Sequence, residues 1–389
     1  MKIVIAPDSF KESLDAASVA DCIENGFREV FPDAEYVALP LADGGEGTVD
    51  VLLQGLSGNK YTTEVMGPLG DTVTAQWAML EPSSSNPKRT ALVEIAAASG
   101  LDLVAPEKRN PMLATSFGTG QLMLEAIEQG VEAIILGLGG SATNDGGAGI
   151  VQALGGKLLD DQGKEIALGG LALSQLTSID LSELDERLRN IDLTVACDVA
   201  NPLCGENGAS HIFGPQKGAS SEQVQALDSA LEHFASVAMQ QHPSIAKSDT
   251  LEISGYGAAG GTPMGLSLLF SMQLKPGIEM VLDTLNADEV LKGASLVVTG
   301  EGQMDNQTLQ GKTPFGIALR AQKQGIPTIG IAGSLGTEVD ELYSAMGALF
   351  GTVRSPQSLE QALKEAEINL TRTARNIAAT LKLGSAILN

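Results

Sequence analysis

Six short apolar runs in the chain each hand over to residues that can do chemistry. Lys2–Ala6 leads into Asp8-Ser9-Phe10-Lys11, and the run ending at Ala42 leads into Asp43-Gly44-Gly45-Glu46-Gly47-Thr48. Residues 131–136 lead into Gly137-Leu138-Gly139-Gly140-Ser141-Ala142-Thr143-Asn144-Asp145, and 193–197 into Asp198-Val199-Ala200-Asn201-Pro202. Residues 294–299 lead into Gly300-Glu301-Gly302-Gln303-Met304-Asp305, with Gly311-Lys312-Thr313 close behind, and 328–332 into Gly333-Ser334-Leu335-Gly336. Glycine lets backbone N–H groups approach an anion closely, and a helix that begins there adds partial positive charge. Carboxylates beside such loops suit a hard cation such as Mg²⁺, which takes oxygen ligands and can neutralise phosphate. A single loop of this kind is more often a tight turn with a capped helix. Six of them point to a nucleotide-phosphate site.

Three familiar fingerprints are weak or broken. Gly311-Lys312-Thr313 ends like a Walker A loop, but that motif needs glycine where Asn306 stands and needs the loop directly after its strand. Gly137-x-Gly139-x-x-Ala142 fits a loose dinucleotide pattern with Asp160 about 20 residues on. Yet Asp160-Asp161-Gln162-Gly163-Lys164 reads as a polar turn. An NAD-dependent oxidoreductase of a small hydroxy acid is therefore an alternative only, beside a non-catalytic sensor that binds such an acid. A serine-centred GxSxG elbow is absent. The histidines (His211, His233, His242) and cysteines (Cys22, Cys197, Cys204) show no paired metal-ligand spacing, which disfavours structural zinc.

The elements that must position these residues alternate in type. Lys2–Ala6 reads as a strand buried on both faces. Ser13 is placed to cap a helix with apolar Ala16, Val19, Ala20, Ile23 and Phe27 at three- and four-residue spacing. Tyr36–Ala42 is a strand and Thr48–Leu56 a helix. The tail repeats the pattern: strands at Ala294–Thr299, Thr328–Ala332 and Ala348–Val353, helices at Thr313–Gln324 and Val339–Met346 and from Ser358 onward. Between the ends, Tyr61–Met66 and Thr72–Met79 flank a Gly67-Pro68-Leu69-Gly70-Asp71 turn as a hairpin would. Further strands are expected near 92–96, 131–136 and 193–197, and helices near 120–129, from Ala148 and at 221–241. Met264, Leu266–Leu269, Phe270 and Met272 read as core. The fold class is α/β: a doubly wound, Rossmann- or flavodoxin-like domain built from residues 1–57 and 287–389, with a second α/β domain, 58–286, inserted in it.

Composition narrows the function classes. A length of 389 residues exceeds one ordinary core, and 43% apolar with 19% charged residues describes a folded chain. The balance of 48 acidic against 24 basic residues gives a formal charge of −24, which repels nucleic acid and anionic membrane. An anionic substrate would need local devices: amide nests, a few lysines or a bound cation. Three cysteines cannot build a disulfide framework, no apolar run is long enough to span a membrane, and the N-terminal run is too short for a signal segment. A cytoplasmic enzyme acting on small molecules is the expectation, with a homo-oligomer left open.

Five segments together carry a resemblance. PDSFKxSL (Pro7–Leu14), ADGGEGT (Ala42–Thr48), GLGGSATNDGGAG (Gly137–Gly149), CDVxNPL (Cys197–Leu203) and TGEGQMDxQTLxGKTP (Thr299–Pro314) resemble the bacterial glycerate kinase family, type 1. The match runs in order from residue 2 to about 350 with no departure at the motif positions. The resemblance implies two α/β domains with the active site in an interdomain cleft. It also implies Mg²⁺-dependent transfer of the ATP γ-phosphoryl group to D-glycerate, with 2-phosphoglycerate the favoured product. For that reaction the loops Gly139-Gly140-Ser141, Thr143 and Gly300-Glu301-Gly302 are expected at the nucleotide phosphates. Lys11 and Lys312 are the expected cations for phosphate or the glycerate carboxylate, and Ser9, Asp43, Gly44, Gly45 and Asn201 the substrate contacts. Asp43, Glu301 and Asp305 are candidate Mg²⁺ ligands, although Asp305 and Asp145 could equally brace their own turns. Asp198 is the expected base, because a buried run aims it out of a sheet edge, and Asp8 is the next candidate.

Overall fold

The computed structural model describes residues 1–43, 47–83, 86–243, 250–306, 308–310 and 312–388. Strands and helices alternate in a mixed α/β fold. The strands are β1 (Lys2–Ile5), β2 (Glu35–Ala38), β3 (Gly58–Met66), β4 (Thr72–Leu80), β5 (Thr90–Glu94), β6 (Ala133–Gly137), β7 (Lys157–Leu159), β8 (Ser178–Asp180), β9 (Asp192–Ala196), β10 (Met272–Lys275), β11 (Leu296–Met304), β12 (Thr328–Leu335) and β13 (Ala348–Gly351). The chain divides into two compact units: Met1–Asp43, Asp50–Leu56 and Pro276–Asn389 form the first, Gly44–Val49 and Ser57–Lys275 the second. Residues 276–286, expected in the insert, belong to the first unit. Their helix, Gly277–Thr284, sets Ile278 so close to Gly316 that a Cβ there would lie 2.6 Å from it, and offers Glu279 and Asp283 to Arg320.

In the first unit five parallel strands lie in the order β13-β12-β11-β1-β2. Numbered within the unit this is 2-1-3-4-5, the flavodoxin-like order, whose switch point lies between its first and third strands, here β1 and β11. β1 lies inside the sheet, between β11 and β2, and Ile3, Val4 and Ile5 have no exposed surface, as a continuous apolar run requires. The helix Ala16–Arg28 buries every apolar position of its stripe. Its cap is Asp15, whose carboxylate accepts from Ser18 N at 2.7 Å. Ser13, the expected cap, instead donates its hydroxyl to Phe10 O. Gly26 of that helix meets the C-terminal helix Ala366–Leu388 so closely that a Cβ would lie 2.4 Å from Thr371 O, a contact only glycine permits.

Strand ends differ from expectation where the site is built. β11 and β12 run on to Met304 and Leu335, paired as Gly300↔Ile331, Glu301↔Ala332 and Gln303↔Ser334. Gly333 allows this, since a Cβ on it would stand 2.5 Å from Gly302 O. β2 stops at Ala38, but Leu39 N still donates to Ile5 O and Leu41 N to Pro7 O. Pro7 and Pro40 lack N–H groups, which ends regular pairing without separating the chains. Residues 340–344 form a 3₁₀ turn rather than the expected longer helix.

The second unit has a six-stranded sheet, β10-β9-β6-β5-β4-β3, parallel from β10 to β5 and antiparallel in the β3–β4 hairpin. The hairpin closes through Gly67 N to Asp71 O, with Gly70 at φ +91°. Trp77 is fully buried, stacked on Tyr61 with its indole N–H toward Thr63. The helix Thr262–Leu269 is core, and β10 follows it directly, a strand hidden in what reads as one apolar stretch. β7 and β8 form a separate antiparallel pair. Among the described residues no helix is long and apolar enough to cross a membrane.

Candidate active site

At the switch point of the first unit, Asp8 N donates to Gly300 O at 2.8 Å, which ties the chain leaving β1 to β11. The Leu41-to-Pro7 bond carries Asp43 up on the other side. The next residues close a tight loop in which Phe10 N donates to Leu14 O and Leu14 N to Phe10 O. Glu12, at φ +66°, makes the reversal and leaves Lys11 exposed at the tip. These elements border a cavity of about 550 Å³ whose wall includes Asp8, Ser9, Lys11, Asp43, Glu301, Gly302 and Lys312. Seven of the sequence-derived candidates, from four separate segments, thus face one space.

Two threonines without an expected role hold the carboxylates. Thr313 donates its hydroxyl to Asp8 Oδ2 at 2.7 Å, while Ser9 N donates to Asp8 Oδ1 at 2.6 Å. Thr308 donates to Glu301 Oε1 at 2.7 Å, and Lys312 Nζ stands 3.8 Å from Glu301 Oε2. Burial raises the Asp8 pKa, Asp43 adds to it, and the bonds from Thr313 and Ser9 pull it back. Burial likewise pushes Glu301 up to about 7, against the Thr308 bond and Lys312 and with the help of Asp8 and Asp305. The cavity therefore gathers carboxylates whose charged forms are incompletely compensated. The hydroxyls were legible in principle, since both lie inside the Thr299–Pro314 motif.

Gly300 and Asp305 do not reach the cavity wall. Gly300 is buried inside β11, where a Cβ would collide with Ile331 O at 2.3 Å, so it is sheet and not phosphate loop. Asp305 braces its own turn: it accepts from Gln303 Nε2, and its N–H donates to Thr308 Oγ1. Among the described residues no group of three or more His, Cys, Asp or Glu is gathered to hold a metal ion. A preformed site of Asp43, Glu301 and Asp305 is thus corrected to a cavity in which Asp43 and Glu301 alone of the three take part. Gly44 and Gly45 lie outside the described residues.

The glycine loop of the second unit is built differently. Gly139 and Gly140 are exposed after β6, Gly140 at φ +72°. Ser141 and Thr143 turn inward, contrary to a role as phosphate ligands. Lys217, itself buried, donates to Ser141 Oγ at 3.0 Å and to Thr143 O at 2.6 Å. The Thr143 hydroxyl donates to Ala259 O, and Gly260 packs so tightly that a Cβ would lie 2.1 Å from Thr143 O. Asp145 is completely buried and accepts from Ser116 N and Oγ, Gly147 N and Gly149 N. Burial raises its pKa against these bonds; burial also lowers Lys217 to about 7, which Asp145 opposes. Lys217 sits in Gly214-Pro215-Gln216-Lys217-Gly218, a turn sequence that reads as surface, so nothing in the pattern marks it as buried.

Asp198 is exposed two residues past β9. Asn201 has its Nδ2 committed to Asn207 O at 2.8 Å and its carbonyl to Gly257 N, so its amide nitrogen braces the loop instead of reaching for substrate. Asp160, the acid a dinucleotide site would need, accepts from Gln162 N and Lys164 N in its own turn. His233 and His242 bond the carbonyls of Leu176 and Ile179, and His211 stands 3.5 Å from Asp228.

Residues 3–382 match the model of a family described as the glycerate kinase family. The chain is 50% identical over 385 residues to the glycerate 2-kinase of Escherichia coli strain K12, covering 99% of each chain. It is also 50% identical to a glycerate kinase of Bacillus subtilis strain 168, covering 98% of each. A crystal structure described as a glycerate kinase 2 from Salmonella typhimurium LT2 superposes with a TM-score of 0.88 at 50% identity, covering 99% of both chains.

Proposed function

The chain belongs to the glycerate kinase family, and so to the phosphotransferases, and from that premise we propose that it transfers the γ-phosphoryl group of ATP to D-glycerate with Mg²⁺. The observation that carries the reading is the first unit's cavity, where carboxylates and two lysines meet at a flavodoxin-like switch point. Phosphoryl transfer asks a protein for positioning and charge neutralisation more than for covalent chemistry. Lys11 and Lys312 supply positive charge to phosphate or to the glycerate carboxylate. Ser9 and Gly302 line the same space.

The donor set fits Mg²⁺. It is all hard oxygen, and Mg²⁺ is commonly held by one or two carboxylates together with substrate phosphates and water, so three gathered carboxylates are not required. Asp43 and Glu301 would hold the ion, which when bound neutralises phosphate charge. The incomplete compensation of Glu301 supports this, because a nearby cation is what would return its pKa to the ordinary range. Asp8 accepts the proton of the attacking hydroxyl: burial has moved its pKa toward the working pH, and Thr313 and Ser9 fix its orientation. This moves the base from Asp198, which is exposed past the end of β9. The product is 2-phosphoglycerate, in keeping with the E. coli relative's being a glycerate 2-kinase. With ATP and D-glycerate as its small-molecule partners, the cytoplasm is the compartment this reading expects.

A coupled ADP-release assay with D-glycerate tests the reading. ADP should form in step with glycerate, vanish with excess chelator and return with Mg²⁺; full activity in excess EDTA would remove the metal from the mechanism. A phosphorus NMR spectrum of the product distinguishes the 2- from the 3-phosphate.

A further inference from the structure

The cavity of the first unit is two-faced. Its strand-end side carries Asp8, Asp43, Glu301, Lys11 and Lys312; the wall contributed by residues 352–366 carries no charge at all. That wall presents Val353 and Leu359, which are 44% and 72% exposed, with Leu363 and Ala366 beside them. Large apolar side chains left this open at the edge of a concave site lose favourable burial until something flat and apolar covers them. Glycerate has no such surface. In the same wall stands Gln357, whose Nε2 is buried yet has no hydrogen-bond partner among the described residues. A buried amide donor left without a partner is costly, so a ligand acceptor that meets it gains the difference.

We propose that this wall seats the purine base of the nucleotide and that the Gln357 carboxamide reads the edge of the base, an inference that rests on the ATP reading above. A carboxamide offers a donor and an acceptor side by side in one plane, the complement of an amino group beside a ring nitrogen, as adenine presents. Val353 and Leu359 cover the faces of the ring. The triphosphate then points from the uncharged wall toward Lys11, Lys312 and the carboxylates, so the polarity of the cavity matches that of the ligand from end to end.

The test uses the full chain with Mg²⁺ and calorimetric titration of three probes: ATP, purine riboside triphosphate, which lacks the exocyclic amino group, and inorganic tripolyphosphate. Wild type should prefer ATP over the deaminated analogue by about tenfold. In Gln357→Ala, ATP should bind about tenfold more weakly and the preference should disappear, while tripolyphosphate binds as in wild type and so reports an intact fold and phosphate site. Gln357→Ala that keeps both ATP affinity and the preference overturns the base seat and leaves the kinase reading standing. Wild type that binds none of the three overturns the ATP reading and the seat with it.

Discussion

In the first unit Asp8, just past β1, and Glu301, within β11, hold threonine hydroxyls on one side and face a cavity on the other. After β6 in the second unit, Asp145 is enclosed by five hydrogen bonds and Lys217 fills the space beneath the glycine loop. Both segments mix glycine, hydroxyl and carboxylate after a buried parallel strand. What separates them is whether the protein itself supplies all the partners. Where it does, the polar groups fix a loop; where it stops short, they remain available to a ligand, and their pKa values show the shortfall.

The largest expected effect tests the open side of that contrast. Asp8→Asn keeps the shape of the side chain but cannot accept a proton, so kcat should fall by about 10²–10⁴-fold in the ADP-release assay. Its melting temperature should hold or rise, since the substitution removes a carboxylate that burial disfavours. A variant with wild-type kcat would sink the assignment.

The enclosed side should respond in stability. Asp145→Ala strands the N–H groups of Ser116, Gly147 and Gly149 and leaves Lys217 without its opposing charge, so denaturant unfolding should show a loss of about 3–5 kcal/mol. A loss below about 1 kcal/mol, within the range of an ordinary surface substitution, would mean the network is not the brace described here.

Titration should separate the two regions by sign. Glu301 is raised on folding from 4.5 to about 7, so the folded state binds the extra proton between those values. Its contribution is full below pH 4.5 and is lost as pH rises through about 7, on the order of 3 kcal/mol in all. Lys217 is lowered from 10.5 to about 7, so its contribution runs the other way: stability rises from pH 7 toward 10.5. Glu301→Gln should flatten the acid-side fall, and Lys217→Met the alkaline rise, in denaturant midpoints measured across pH. Parallel profiles in wild type and both variants would contradict the pairing. The smallest effect is expected from Asp198→Asn, with kcat lowered less than about tenfold; a loss matching that of Asp8→Asn would return the base to the end of β9.

Much of this arrangement was legible from residue pattern alone. Buried parallel strands declare themselves as apolar runs, and a ligand site at their carboxyl ends follows from topology, so Asp8, Lys11, Glu301 and Lys312 could be singled out before any geometry. Gly300 and Gly333 read as loop because glycine usually ends a strand; here it lets two strands continue side by side. Ser141 and Thr143 read as phosphate contacts because hydroxyls beside glycine often are; Lys217 and Ala259, distant in sequence, take those hydroxyls inward. Gln357 carried no signal, since an amide's lack of a partner is a property of its surroundings.

The pairing of β1 with β11 joins Ile3 to Leu296, so the central seam of the first unit awaits residues made nearly three hundred positions later. During synthesis β1 and β2 emerge early and have only each other, while every strand of the second unit's sheets, from β3 to β10, lies in one continuous stretch and is complete before β11 appears. Domains tend to fold as their sequence becomes available, and long-range parallel pairing is slow. The second unit can therefore be a finished body while the apolar run of β1 still waits, exposed, for its partner. A ribosome paused after residue 275 would hold a chain with Asp8 in place and no cavity for it to serve: the capacity for chemistry arrives last, with the final quarter of the polypeptide.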